Sequence, residues 1–152
     1  MATTSGVYPV YENQFKINKS GRTASGSGEA STLVAIADME SFSVSFDDNV
    51  EEWTPMTTEG WVRRLKTGKG ITISLSGKRN IGDAGNDYVA GLAFKSGADC
   101  NSQLEWTFPN GDKVLIDCVI NVTSAGGDST GVEPLEFECL SDGKPTFTKA
   151  SS

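Results

Sequence analysis

The feature that most constrains this chain is an alternation of apolar and polar residues with a period of two. Phe42, Val44 and Phe46 alternate with Ser41, Ser43 and Ser45, and Ile71, Ile73 and Leu75 alternate with Thr72, Ser74 and Ser76. Leu104, Trp106 and Phe108 oppose Gln103, Glu105 and Thr107, while Leu135, Phe137 and Cys139 oppose Glu136 and Glu138. Val114, Ile116, Cys118, Ile120 and Val122 trace one face of a longer segment. Successive side chains of a strand point to opposite faces, so each segment predicts a strand with one buried and one polar side. Repeated along a chain, such strands predict antiparallel sheets around a shared core: a mainly β fold, sandwich or barrel.

The connections agree. Pro109-Asn110-Gly111-Asp112 separates two alternating runs and predicts a hairpin turn, with Gly111 able to take positive φ. Gly68-Lys69-Gly70 predicts another turn, and Ser124–Gly131 reads as a loop. Only one stretch has helical spacing. Asp83 or Asn86 can cap a helix over 84–96 that stops at Gly97, with Tyr88, Leu92 and Lys95 on one side.

Two regions are long for a compact domain. Residues 1–30 hold an extended stretch (Val7 to Ile17) and then a Ser/Gly-rich connector. Residues 47–67 form an excursion whose first part is polar yet carries Trp53, Pro55 and Met56, which a merely solvated loop does not need. Charge is blocked in the same place. Asp38, Glu40, Asp47, Asp48, Glu51, Glu52 and Glu59 precede Arg63, Arg64, Lys66, Lys69, Lys78 and Arg79, with no intermixing. One reading is a solvated surface on which adjacent strands pair their charges. The other is a self-complementary surface, with the acidic loop of one subunit meeting the basic strand of the next and Trp53 or Trp61 as anchors. Opposite charges within one chain suit head-to-tail assembly.

Composition removes most chemistry. The chain has 152 residues, enough for one domain with a real core, and 20 acidic against 13 basic side chains, for a net charge of -7. That balance argues against a nucleic-acid clamp, which needs clustered Lys and Arg. With no histidine, Ser–His and Cys–His nucleophile systems are excluded. The carboxylate pairs Asp47/Asp48 and Glu51/Glu52 read as solvent-facing rather than as a glycosidase pair. Asp83, Asn86 and Asp87 lack the spacing of a calcium loop, and the glycine clusters lack that of a phosphate cradle. The three cysteines, Cys100, Cys118 and Cys139, read as reduced, and Cys118 and Cys139 lie in apolar rows that predict burial. Met1–Gly6 shows no basic-then-apolar leader pattern, and no run reaches the ~20 apolar residues of a membrane helix. Asn121-Val122-Thr123 fits a glycosylation sequon but falls mid-strand. The reading is a non-enzyme with no catalytic, metal or cofactor site.

Ordered blocks carry a resemblance. Val50-Glu51-Glu52-Trp53-Thr54-Pro55-Met56, Glu59-Gly60-Trp61-Val62-Arg63-Arg64-Leu65, Thr67-Gly68-Lys69 and Leu75-Ser76-Gly77-Lys78-Arg79 are followed by Gly82–Leu92 and Glu105–Gly111. Together these blocks, spread over about residues 7–148, resemble the major tail tube protein of long-tailed, siphovirus-like bacteriophages. The resemblance implies a β-sandwich flanked by one helix, assembling into stacked hexameric rings that form a hollow tube through which DNA is ejected. It implies an N-terminal arm in 1–30 and a ring-to-ring excursion in 47–67, with Asp47, Asp48, Glu51, Glu52, Trp53, Met56, Trp61, Arg63, Arg64 and Lys66 at the interface. The implied partners are further copies of the chain, a tail-tip initiator, a tape measure protein and a tail terminator. The implied location is the virion tail, built in the bacterial host cytoplasm, with no membrane partner.

On this reading the acidity has a use. A lumen lined with carboxylates repels the DNA backbone, and Glu105, Glu136 and Glu138 are the candidates for it. The alternative reading is a monomeric β-sandwich carbohydrate-binding module with Trp53, Trp61 and Tyr88 as its aromatic platform.

Overall fold

The computed structural model describes residues 6–19 and 33–149. Ten strands and one α-helix occur among them: β1 (Gln14–Asn18), β2 (Leu33–Ala35), β3 (Met39–Phe46), β4 (Asn49–Trp53), β5 (Arg63–Gly68), β6 (Ile71–Lys78), α1 (Ala84–Gly91), β7 (Asn101–Thr107), β8 (Lys113–Ser124), β9 (Pro134–Ser141) and β10 (Thr146–Thr148). Eight strands form one antiparallel sheet in the order β2-β1-β7-β8-β9-β6-β3, with β10 pairing with the start of β8. The strands at the two ends of that order, β2 and β3, are joined by only Ile36-Ala37-Asp38, so the sheet curls back on itself. Asp38 takes the left-handed conformation at this corner (φ 62°) and its carbonyl accepts from Lys78 N at 2.8 Å.

The inner face is the apolar half of each alternating run. Ile17, Ile73, Leu75, Leu104, Ile116, Cys118, Ile120, Leu135, Phe137 and Cys139 are buried there with Val89 from the helix and Leu92 just after it. A large aliphatic or aromatic side chain so buried contributes about 1.5–3 kcal/mol. Cys118 and Cys139 are buried thiols inside this core, and burial pushes the Cys139 thiol well above its ordinary pKa. Phe15, Phe42 and Trp106 form an aromatic cluster across the seam of the curl, with Phe15–Phe42 centroids 4.8 Å apart and Phe42–Trp106 centroids 5.5 Å apart. Close approach leaves no room for side chains at two glycines. A Cβ on Gly77 would strike the Asp38 carbonyl, and one on Gly85 the Ala35 carbonyl.

The helix is clamped to the same corner. Asp83 caps it by accepting from Asn86 N at 3.0 Å and holds Ala37 N at 3.1 Å. Asn86, fully buried, accepts from Arg79 Nη1 and Asn80 N and donates to the carbonyls of Ala37 and Lys78, all within 2.9–3.1 Å. Its amide therefore ties the end of β6 to the β2–β3 corner.

Some expectations change. The α-helix ends at Gly91 and tightens into a 3₁₀ turn, Leu92–Phe94, well short of 96, since Gly91 is a weak helix former and Lys95 is already extended. Residues 14–18 of the expected arm are an interior strand between β2 and β7, because Phe15 and Ile17 reach the core. Residues 1–5 and 20–30 of that arm lie outside the described residues. The predicted turn at Gly68-Lys69-Gly70 is absent: β5 runs onward into β6, with Asp47 N donating to Gly70 O at 2.8 Å. By contrast 108–112 is a turn, with Gly111 at φ 96° and Phe108 N bonded to Asp112 O.

Candidate functional site

The excursion at 47–67 is a β-ribbon. The pairing of β3 with β6 ends at Phe46↔Ile71, and the same register resumes at Asn49↔Gly68 in the pairing of β4 with β5. One long hairpin therefore begins inside the sheet and continues out of it. Every residue of β4 is exposed, and all of β5 except Gly68. The tip is a 3₁₀ turn, Met56–Thr58, knitted by Thr58, whose hydroxyl lies 2.7 Å from the carbonyl oxygen of Trp61 and 3.1 Å from that of Pro55. Glu59 and Gly60 complete it at positive φ.

Cross-strand partners share a face, so the ribbon has two distinct sides. On one, Lys66 meets Asp48 at 2.8 Å and Arg64 meets Glu52 at 3.4 Å, beside Val50. On the other, Trp53, Leu65, Arg63 and Glu51 lie together, with the Arg63 guanidinium 5.6 Å from the Trp53 ring centroid. Among the described residues Glu51 has no ion-pair partner. Apolar area is left uncovered: Leu65 is 59% exposed, Trp61 78% and Met56 100%.

This arrangement answers the charge-block question. Acidic β4 and basic β5 pair with each other inside one chain, so the adjacent-strand reading accounts for Asp48, Glu52, Arg64 and Lys66. Such exposed ion pairs contribute at most about 1 kcal/mol each. Asp47 is also used locally, accepting from Thr72 Oγ1 at 2.9 Å. What the chain itself leaves uncovered is the apolar side and the tip: Trp53, Leu65, Val62, Met56 and Trp61. Of these exposed residues, the sequence reading singles out Trp53, Met56 and Trp61 and passes over Val62 and Leu65, whose only signal is their opposition to charged neighbours.

The second surface is the polar face of the sheet. Ser43, Ser74, Glu138 and Asn121 stand in register across β3, β6, β9 and β8. Ser41, Ser76 and Glu136 form the adjacent row. The serines and glutamates of these rows, with Thr123, line a hollow of about 390 Å³ that contains carboxylates, hydroxyls and no basic side chain. Glu136 and Glu138 are thus brought together. Glu105 sits on β7 opposite Lys16 of β1, apart from that hollow.

Tyr88 does not join Trp53 and Trp61. It packs half-buried against the core, where burial raises its hydroxyl pKa, so the three rings form no common platform. No cluster of three or more His, Cys, Asp or Glu suited to a metal occurs among the described residues. No helix there is long and apolar enough to cross a membrane.

The fold is shared with solved tail structures. A chain from the tail of an empty gene transfer agent particle, of C6 symmetry, superposes with a TM-score of 0.67 at 19% identity, covering 94% of this chain and 100% of that one. A chain from the native gene transfer agent virion gives 0.67 at 17% identity over the same shares. A chain from the sheath–tube complex of an extended extracellular contractile injection system gives 0.56 at 12% identity, covering 93% and 91%. No family model and no curated protein sequence matches the chain.

Proposed function

We propose that this chain is the structural subunit of a phage-type tail tube, assembling into hexameric rings that stack around a channel for DNA. The observation that carries the reading is the β4–β5 ribbon, whose apolar side and tip have no cover from their own body. A lone two-stranded ribbon is marginal in water, so one that keeps Trp53, Leu65 and Trp61 exposed calls for a neighbouring subunit to pack on it. Near-complete overlap with a chain from a C6-symmetric tail supports copies of the same chain as that neighbour. The reading extends to the siphovirus type of tail, to a tip initiator, tape measure and terminator as further partners, and to assembly in the host cytoplasm.

In this tube the Ser/Thr/Glu face of β3-β6-β9-β8 is the lumen wall. Glu136 and Glu138 then repel the DNA backbone while the hydroxyls offer no anchoring charge, which keeps a translocating duplex from sticking. Glu105, placed beside Lys16, contributes less. Negative-stain electron microscopy of the concentrated protein tests the reading: hollow tubes with a regular axial repeat are expected. Monomers at every concentration, together with a Trp53→Ala variant that behaves like the parent in every association assay, would sink it.

A further inference from the structure

Where the ribbon leaves the body, the core is open at its end. A groove of about 510 Å³ lies there, floored by Phe46, Ile71 and Pro145 and rimmed by Lys66, Lys69 and Lys144. Phe46, the last inward residue of β3, is 66% exposed. Asp48 also reaches the groove but is engaged by Lys66 at 2.8 Å. Lys69 and Lys144 have no ion-pair partner among the described residues. An apolar floor under unneutralised lysines fits a segment that presents an apolar side chain flanked by carboxylates.

The chain carries such a segment at its opposite end. Strands β6 and β9 start and finish at the groove, with Ile71 and Ser141, and reach the other end at Lys78 and Pro134. Seven steps of about 3.3 Å place the two ends roughly 23 Å apart. At the far end, the 125–133 loop carries Asp128 and Glu133, no basic residue, and Val132 at 68% exposure. Neither acid has an ion-pair partner among the described residues.

We propose that the groove of one copy receives the 125–133 loop of the next copy, with Val132 on the Phe46–Ile71–Pro145 floor and Asp128 and Glu133 against Lys69 and Lys144. The contact rests on the tube reading, since head-to-tail stacking is what brings opposite ends of successive copies together. The ribbon points the same way: it prolongs β3 and β6 beyond the groove end, so that end is the one facing the next copy. The ribbon tip is a poorer occupant, because it meets the next copy at that copy's loop end, roughly 23 Å from its groove.

Engineered disulfides test this in the full-length chain. Val132→Cys with Lys144→Cys puts thiols at opposite ends of one subunit, well outside the ~7 Å reach of a disulfide. The native Cys100, Cys118 and Cys139 are buried and do not compete. Mild oxidation of tubes is expected to give a ladder of covalent multimers, whereas each single variant stops at dimers. Tubes that stay monomeric on a non-reducing gel overturn this contact and leave the tube reading intact. A parent chain that forms no tubes brings down the tube reading and this contact with it. Should only the double-cysteine chain fail to assemble, a charge swap decides. Glu133→Lys and Lys144→Glu should each raise the critical concentration, by up to about fivefold per contact, and the pair should restore it. Absence of restoration overturns the proposal.

Discussion

Phe15 and Phe42 meet edge to face with their centroids 4.8 Å apart, although β1 and β3 lie near opposite ends of the strand order. The contact spans the seam where the curled sheet returns on itself. Phe42→Ala removes the ring that touches both Phe15 and Trp106. Since Phe42 is only half-buried, the loss should fall below the range for fully buried Phe, at about 2–3 kcal/mol. Urea titration followed by circular dichroism measures it, and a loss under about 0.5 kcal/mol would show that the seam is held elsewhere.

Asn86 offers a sharper test of the corner. Asn86→Leu keeps the branched side-chain shape but leaves the carbonyls of Ala37 and Lys78, the Asn80 amide and one Arg79 donor without their partner. Stranding several such groups should destabilise the fold by about 3 kcal/mol or more. Thermal unfolding reads this directly, and the loss should appear with the ribbon's exposed residues unchanged.

Asp87 makes acid stability predictable in sign. The hydrogen bond from Arg79, at 2.8 Å, and that from the Gly82 amide hold its carboxyl below the ordinary carboxylate pKa. The unfolded chain therefore takes up the proton first as pH falls. The stabilisation is present above the unfolded value of about 4 and is lost as pH drops through the folded one. Asp87→Asn should flatten the acid limb of a Tm-against-pH curve below about pH 4 and leave the neutral end of its shape unaltered. An unchanged acid limb would rule this ion pair out as its source.

Trp53 separates stability from assembly. Its ring lies on the ribbon under Arg63, away from the core, so Trp53→Ala should alter unfolding free energy by no more than about 0.5 kcal/mol. Tube yield should nevertheless collapse, because apolar anchors carry most of an interface's energy. Equal losses in both measurements would mean that the ring serves the fold rather than the interface.

Strands β3, β6, β7, β8 and β9 and their inner face were legible in the sequence because alternation is local: Ile73, Leu75, Phe137 and Cys139 need only their own neighbours to declare a side. The turn at Gly111 was legible for the same reason, and so was a cap at Asp83 or Asn86, of which the structure uses Asp83. Tertiary structure alone decided what those strands do together. Gly68-Lys69-Gly70 is turn-like by composition, yet the β3–β6 register carries straight through it and converts an expected turn into the root of a ribbon. The blocks of opposite charge left open pairing between adjacent strands or contact between subunits; the β4–β5 hairpin spends Asp48, Glu52, Arg64 and Lys66 on one another and leaves the apolar side uncovered. Closure of the sheet through Asp38, with Asn86 clamping the corner, joins residues distant along the chain, and such pairings depend on register and curvature that no local pattern encodes.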